Sequence, residues 1–328
     1  MKIVELTSAP SEEHDKEWLK EALQAAIELE HATVPAYLCL IYSVIDRTEQ
    51  VFTILQSIMK EEMLHMGLGC NMLTAIGGTP AINKSDFVPE YPGPLPGGVR
   101  PDLTIALAGL SKEIIKDVFM EFEHPYTGEV TELDQDYPTL GKFYDAILNA
   151  FRKLDASDFT GGVQITEGDI GMFKIHNLAD VELAIEEIKE QGEGTTRSPL
   201  SALDSTGELE FPHYYKLGEI YHERQLIKTN DGDWRYEGKE IRFPDCYPVA
   251  RVPKGGYPGV TDEFNRKYRD LLDGLHDAWS AESDEAGQAL LGKALDDMFG
   301  LRNIALQLVK TPLPYGKGNY APDFRLPD

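Results

Sequence analysis

Glu62 and His65 stand three residues apart, and Glu210 and His213 repeat that spacing in the second half of the chain. On a helix, residues three apart share a face, so each pair offers a carboxylate and an imidazole to one point in space. That mixture of hard and borderline ligands suits Fe or Mn better than thiolate-seeking ions. A further carboxylate precedes each pair: Glu30 before the first, and Glu190 within Ile188 to Gly194 before the second. One Glu followed by Glu-x-x-His, occurring twice in order, is the ligand set for two carboxylate-bridged metals inside a four-helix bundle.

The elements that would carry these residues are legible in the hydrophobic pattern. Residues 14 to 46 have a helical period interrupted only by Pro35, which a long helix can absorb as a kink. Residues 50 to 76 continue that period and stop at Gly77-Gly78-Thr79-Pro80. The buried stripe of the first is Leu23, Ile27, Glu30, Val34, Tyr37, Ile41, and that of the second is Val51, Leu55, Ile58, Glu62, His65, Gly69, Met72, Ile76. Desolvating a carboxylate in an apolar seam is costly unless it is paired or bound to a cation. The short break near Asp46 to Glu49 makes an antiparallel hairpin, and Glu30 and Glu62, nearly equidistant from it, fall at one height.

The second half is less regular. A third helix is expected over Leu178 to Gln191 and a fourth from about Leu209 to Lys228, its stripe running Glu210, His213, Leu217, Ile220, Ile227. Pro212 fits a helical first turn, which places the start of that helix near Glu210. In the third helix the strongest apolar face is Val181, Ala184, Ile185, Ile188, with Glu187 near its edge. Glu190 lies on a second apolar side with Ala179 and Leu183, and Glu193 follows one turn on, so periodicity leaves three carboxylates open.

Shorter accessory helices are expected at Ser111 to Glu123, with Ser111 as N-cap, and at Leu140 to Leu154. Residues 79 to 101 are dense in proline and glycine and read as a long loop. The alternating run Trp234 to Phe243, with turns at Asn230-Asp231-Gly232 and Glu237-Gly238, predicts a small β-hairpin. Helices over Thr261 to Ala281 and Ser283 to Val309 follow. The expected fold is therefore all-α: a bundle with loop insertions over residues 1–228 and a C-terminal extension over 229–328 packed on it.

At the candidate ligands the sequence resembles the ferritin-like proteins related to the iminophenyl-pyruvate dimer synthase domain. The matching blocks are Glu28 to Leu38, Glu61-Glu62-Met63-Leu64-His65 with Gly77-Gly78-Thr79-Pro80, Glu190-Gln191-Gly192-Glu193-Gly194, and His213-Tyr214-Tyr215. The resemblance covers about residues 16 to 228. It implies a ferritin-like bundle holding two metal ions, iron first and manganese as the alternative, at Glu30, Glu62, His65, Glu190, Glu210 and His213. Choosing Glu190 over Glu187 and Glu193 rests on that resemblance.

The expected activity is that of a non-haem dimetal oxidoreductase using dioxygen or peroxide on a small organic substrate, such as an amino-acid-derived imine. The alternatives are iron or peroxide handling without an organic substrate, and a metal-free binding bundle. His31, Glu123, His124 and His276 read as structural, Glu61 as a solvated flank, and Tyr37 as core. A formal charge of −25 over 328 residues, without a dense basic block, argues against nucleic acid. No apolar run is long enough to span a bilayer and no secretory signal is evident, so a cytoplasmic chain is expected. Cys39, Cys70 and Cys246, odd in number and widely spaced, read as structural thiols. The composition is compatible with a homo-oligomer.

Overall fold

The computed structural model describes residues 3–124, 140–192, 199, 210–314 and 316–326. After a short α1 (Ile3–Ser8) come the two long helices α2 (Lys16–Ser43) and α3 (Gln50–Ala75). Asp15 caps α2 by accepting from the amides of Glu17 and Trp18. Pro35 sits inside α2, and its buried ring is part of the core. The two helices pack against each other more extensively than any other pair of described elements.

The next helix, α4, is made of three consecutive pieces: Lys112–Ile114, the π-helical turn Ile115–Phe119, and Met120–Phe122. Ser111 caps it through the amide of Ile114, as its position predicts. Then follow α5 (Leu140–Phe151) and α6 (Leu178–Gln191), which pack on each other, and α7 (His213–His222), which packs on the π turn of α4 and on α3. The helix that pairs with α7 is thus α4, not the expected segment 178–191. In α6 one face is buried, through Val181, Ala184, Ile185 and Ile188, and Leu183 on the second apolar side is 53% exposed.

Two strands form a small antiparallel hairpin, β1 (Ile227–Lys228) with β2 (Trp234–Arg235). Its loop contains Gly232 at φ +94°, a conformation that a side chain would strain. The hairpin is shorter than the run to Phe243 suggests, and its first strand lies in what was expected to be the end of the fourth helix.

The C-terminal helices α8 (Asp262–Trp279) and α9 (Asp284–Leu308) pack together and lean on the α2–α3 pair. The Trp279 indole donates to Asn71 Oδ1 (2.9 Å), and Arg269 donates to the carbonyl of Asn83 (3.0 Å). The result is a mostly helical architecture with one small antiparallel hairpin. Among the described residues, no helix is long and apolar enough to cross a membrane.

Candidate metal centre

Antiparallel packing of α2 on α3 brings Glu30, Glu62 and His65 together, with ligand atoms within 4.8 Å of one another. A second group of the same kind is Glu62, Glu123 and His213. Glu62 belongs to both groups, and all five residues are buried. Glu30 comes from α2, Glu62 and His65 from α3, Glu123 from the residue that follows α4, and His213 from the first position of α7.

The two imidazoles are oriented alike. His65 Nδ1 is 3.4 Å from Glu30, and His213 Nδ1 is 3.0 Å from Glu62 and 3.2 Å from Glu123. Each Nε2 faces a hydrogen-bond partner on the outer side: Gln191 Oε1 for His65 and Glu61 Oε2 for His213, both at 3.0 Å. Anchoring the outer nitrogen in this way orients a histidine to use its other nitrogen as a metal ligand. Each carboxylate also accepts from a hydroxyl. Tyr144 donates to Glu30, Thr33 to Glu62 (2.6 Å) and Tyr37 to Glu123 (2.7 Å).

Glu30, Glu61, Glu62 and Glu123 are four buried carboxylates, and the buried ammonium among them is that of Lys216, which lies 2.7 Å from Glu61. Burial raises Glu62 above the ordinary carboxylate range despite the nearby His213. Burial opposes the charge on His65 and His213, yet the surrounding carboxylates hold both above the usual imidazole range, His213 well above it. The chain's own protons thus stand where cations are electrostatically demanded, and metal ions would displace them. The donor set and the excess negative charge fit two divalent ions.

Of the expected ligands, Glu30, Glu62, His65 and His213 are brought together. Glu190, half-buried in the last turn of α6, joins neither group, and α6 reaches the site through the amide of Gln191 instead. Glu187 accepts from that amide at 2.6 Å. Glu193 lies outside the described residues. Glu210 joins neither group; its carboxylate pairs with Lys216 at 3.0 Å. The reason is Pro212, which is the N-cap of α7, so Glu210 precedes the helix and does not share a helical face with His213.

Glu123 and Glu61, read from sequence as structural and solvated, are both at the centre. Glu123 follows Ile115 and Phe119 at steps of four, a carboxylate in a buried stripe like Glu30. That signal was available. Tyr37, read as core, is fully buried and also touches the site through Glu123, and burial with that neighbour raises its phenol well above the usual range. A cavity of about 40 Å³ adjoins the first group, lined by Leu29, Leu95, Phe122, Leu140 and Ile188 as well as by the polar side chains.

No curated protein matches the chain in sequence. A crystal structure of a ferritin-like protein from Caulobacter vibrioides is similar in fold, with a TM-score of 0.61 and 21% identity over 88% of this chain and 93% of that one. The ferritin-like family model matches residues 23–222, a span that contains both ligand groups and well over half of the sequence. The chain belongs to the ferritin-like family.

Proposed function

We propose that this protein is a dimetal oxidoreductase, with Glu30, Glu62 and His65 holding one ion, Glu123 and His213 the other, and Glu62 serving both. The observation that carries the reading is the sharing of buried Glu62 by two carboxylate–histidine groups. Iron, or manganese as the alternative, would supply the redox chemistry by which dioxygen or peroxide oxidises an organic molecule. The set differs from the one the family resemblance implies: Glu123 takes the place of Glu190, and Glu210 serves as a partner of Lys216.

The chain's own residues prepare the site. Thr33, Tyr37 and Tyr144 hold the three carboxylates in place, and Gln191 and Glu61 orient the imidazoles. Leu29, Leu95, Phe122, Leu140 and Ile188 give the cavity beside the site an apolar lining, and its about 40 Å³ has room for a molecule the size of dioxygen or peroxide. The resemblance of residues 28–38 and of the other matching blocks to the iminophenyl-pyruvate dimer synthase group favours an amino-acid-derived imine.

Metal content provides the test. Purified chain reconstituted anaerobically with Fe(II) is expected to carry about two ions, the number its two ligand groups allow. Glu62→Ala should lose both while keeping its helical circular dichroism, and Glu210→Ala should keep both. Two ions retained by Glu62→Ala would refute the assignment. Iron oxidation with shell assembly and no substrate-dependent dioxygen uptake would replace the oxidoreductase with an iron-handling protein.

A further inference from the structure

The two ligand groups are matched in their inner contacts and unmatched behind them. Each has two carboxylates, one of them Glu62, and one imidazole presenting Nδ1. In each, the carboxylate that is not shared accepts from a tyrosine, Tyr144 for Glu30 and Tyr37 for Glu123. The difference lies at the outer nitrogens. His213 Nε2 faces a carboxylate, Glu61, whereas His65 Nε2 faces a neutral amide, Gln191. A carboxylate accepting that proton pushes more electron density through the ring and makes Nδ1 the stronger donor.

Resting on the dimetal reading, we propose that the two ion positions are unequal, the one at His213 binding a divalent ion more tightly than the one at His65. Lys216 weakens the contrast without removing it. Its ammonium lies 2.7 Å from both oxygens of Glu61, but the carboxylate stands between it and the imidazole, so the near end of the pair is negative. On the other side, Gln191 is oriented by Glu187, to which its Nε2 donates at 2.6 Å, so its Oε1 faces His65 and the amide carries no charge there. The consequence is ordered loading: the His213 position fills first, and a mixed-metal centre can form if two ions are offered in sequence.

Two ions sharing Glu62 also repel each other, so stepwise binding in the unaltered chain would not by itself prove inequality. Single-position variants remove that ambiguity. His65→Ala leaves the His213 position, and His213→Ala leaves the other. Titrated with Mn(II) and followed by the loss of the free-ion EPR signal, His65→Ala is expected to bind one ion about ten-fold or more tightly than His213→Ala, within the range that outer partners confer. Adding Glu61→Gln to His65→Ala should weaken that ion by about ten-fold or more, and adding Gln191→Glu to His213→Ala should tighten the other.

Equal affinities in the two single-position variants, or a Gln191→Glu change that leaves Mn(II) affinity as it was, would overturn the inequality while leaving the dimetal centre standing. Gln191 is half-buried at a helix end, so its variant is expected to fold even if the buried Glu61→Gln change is not tolerated. Absence of Mn(II) binding in the unaltered chain would overturn both readings.

Discussion

His31 directly follows Glu30 in sequence but turns to the other side of α2. Its ring packs on Phe87 with centroids 4.5 Å apart, and its Nε2 lies 2.7 Å from the hydroxyl of Tyr268. Burial without a nearby acid lowers its pKa from 6.5 to about 3, so the folded chain holds it neutral. Below pH 6.5 the unfolded chain takes up a proton that the folded chain refuses. The stability that depends on a neutral His31 is therefore intact above pH 6.5 and lost as pH falls toward 3. At pH 5 this amounts to about 2 kcal/mol. In urea titrations of the metal-free protein, His31→Gln should flatten the stability profile between pH 7 and pH 5 by roughly that amount. An unchanged slope would mean that His31 is solvated or paired.

At the scale of elements, the centre depends on helix ends as much as on helix faces. Glu123 leaves α4 after the three-residue piece Met120–Phe122 that follows its π-helical turn, and the wider turn sets the direction in which the last residues point. His213 opens α7 beside Pro212. The C-terminal tail is pinned by one buried carboxylate. Asp323 accepts from the Tyr257 amide, Thr261 and Asn265, each at 2.7 Å, and from Arg325 at 3.0 Å. Phe324 then packs at 4.9 Å from Phe264 and 5.0 Å from Tyr268, the residue that meets His31. Asp323→Ala should cost about 3 kcal/mol, because it strands buried donors that now serve a charged acceptor. The midpoint of chemical denaturation measures it. A loss below about 0.5 kcal/mol, the range of ordinary surface substitutions, would show that the tail holds without this anchor.

For the whole molecule, the formal charge is −25, and four of its carboxylates are buried around one centre beside one buried lysine. Ions that bind the folded chain and not the unfolded one stabilise it by mass action, about 4 kcal/mol at a thousand-fold excess over the dissociation constant. Mn(II) or Fe(II) should accordingly raise the melting temperature of the unaltered chain, and Glu62→Ala should abolish the rise. A melting temperature that ignores both ions would favour the metal-free binding bundle.

The sequence by itself determined the elements whose signals are local: α2 and α3 from the seam period, α6 at both of its ends, the Ser111 cap, and the hairpin turn at Asn230 to Gly232. It also determined that Glu30, Glu62 and His65 share one height, because a short turn between long helices allows little else. The tertiary structure decided which helix faces α7. Chain order suggested 178–191, whereas packing placed the shorter, π-turned α4 there and brought Glu123 in with it. It also decided that Pro212 begins α7 too late for Glu210 to share a face with His213, and that Glu61 belongs inside. These outcomes depend on which apolar faces meet across loops of many residues, and no local period encodes that choice.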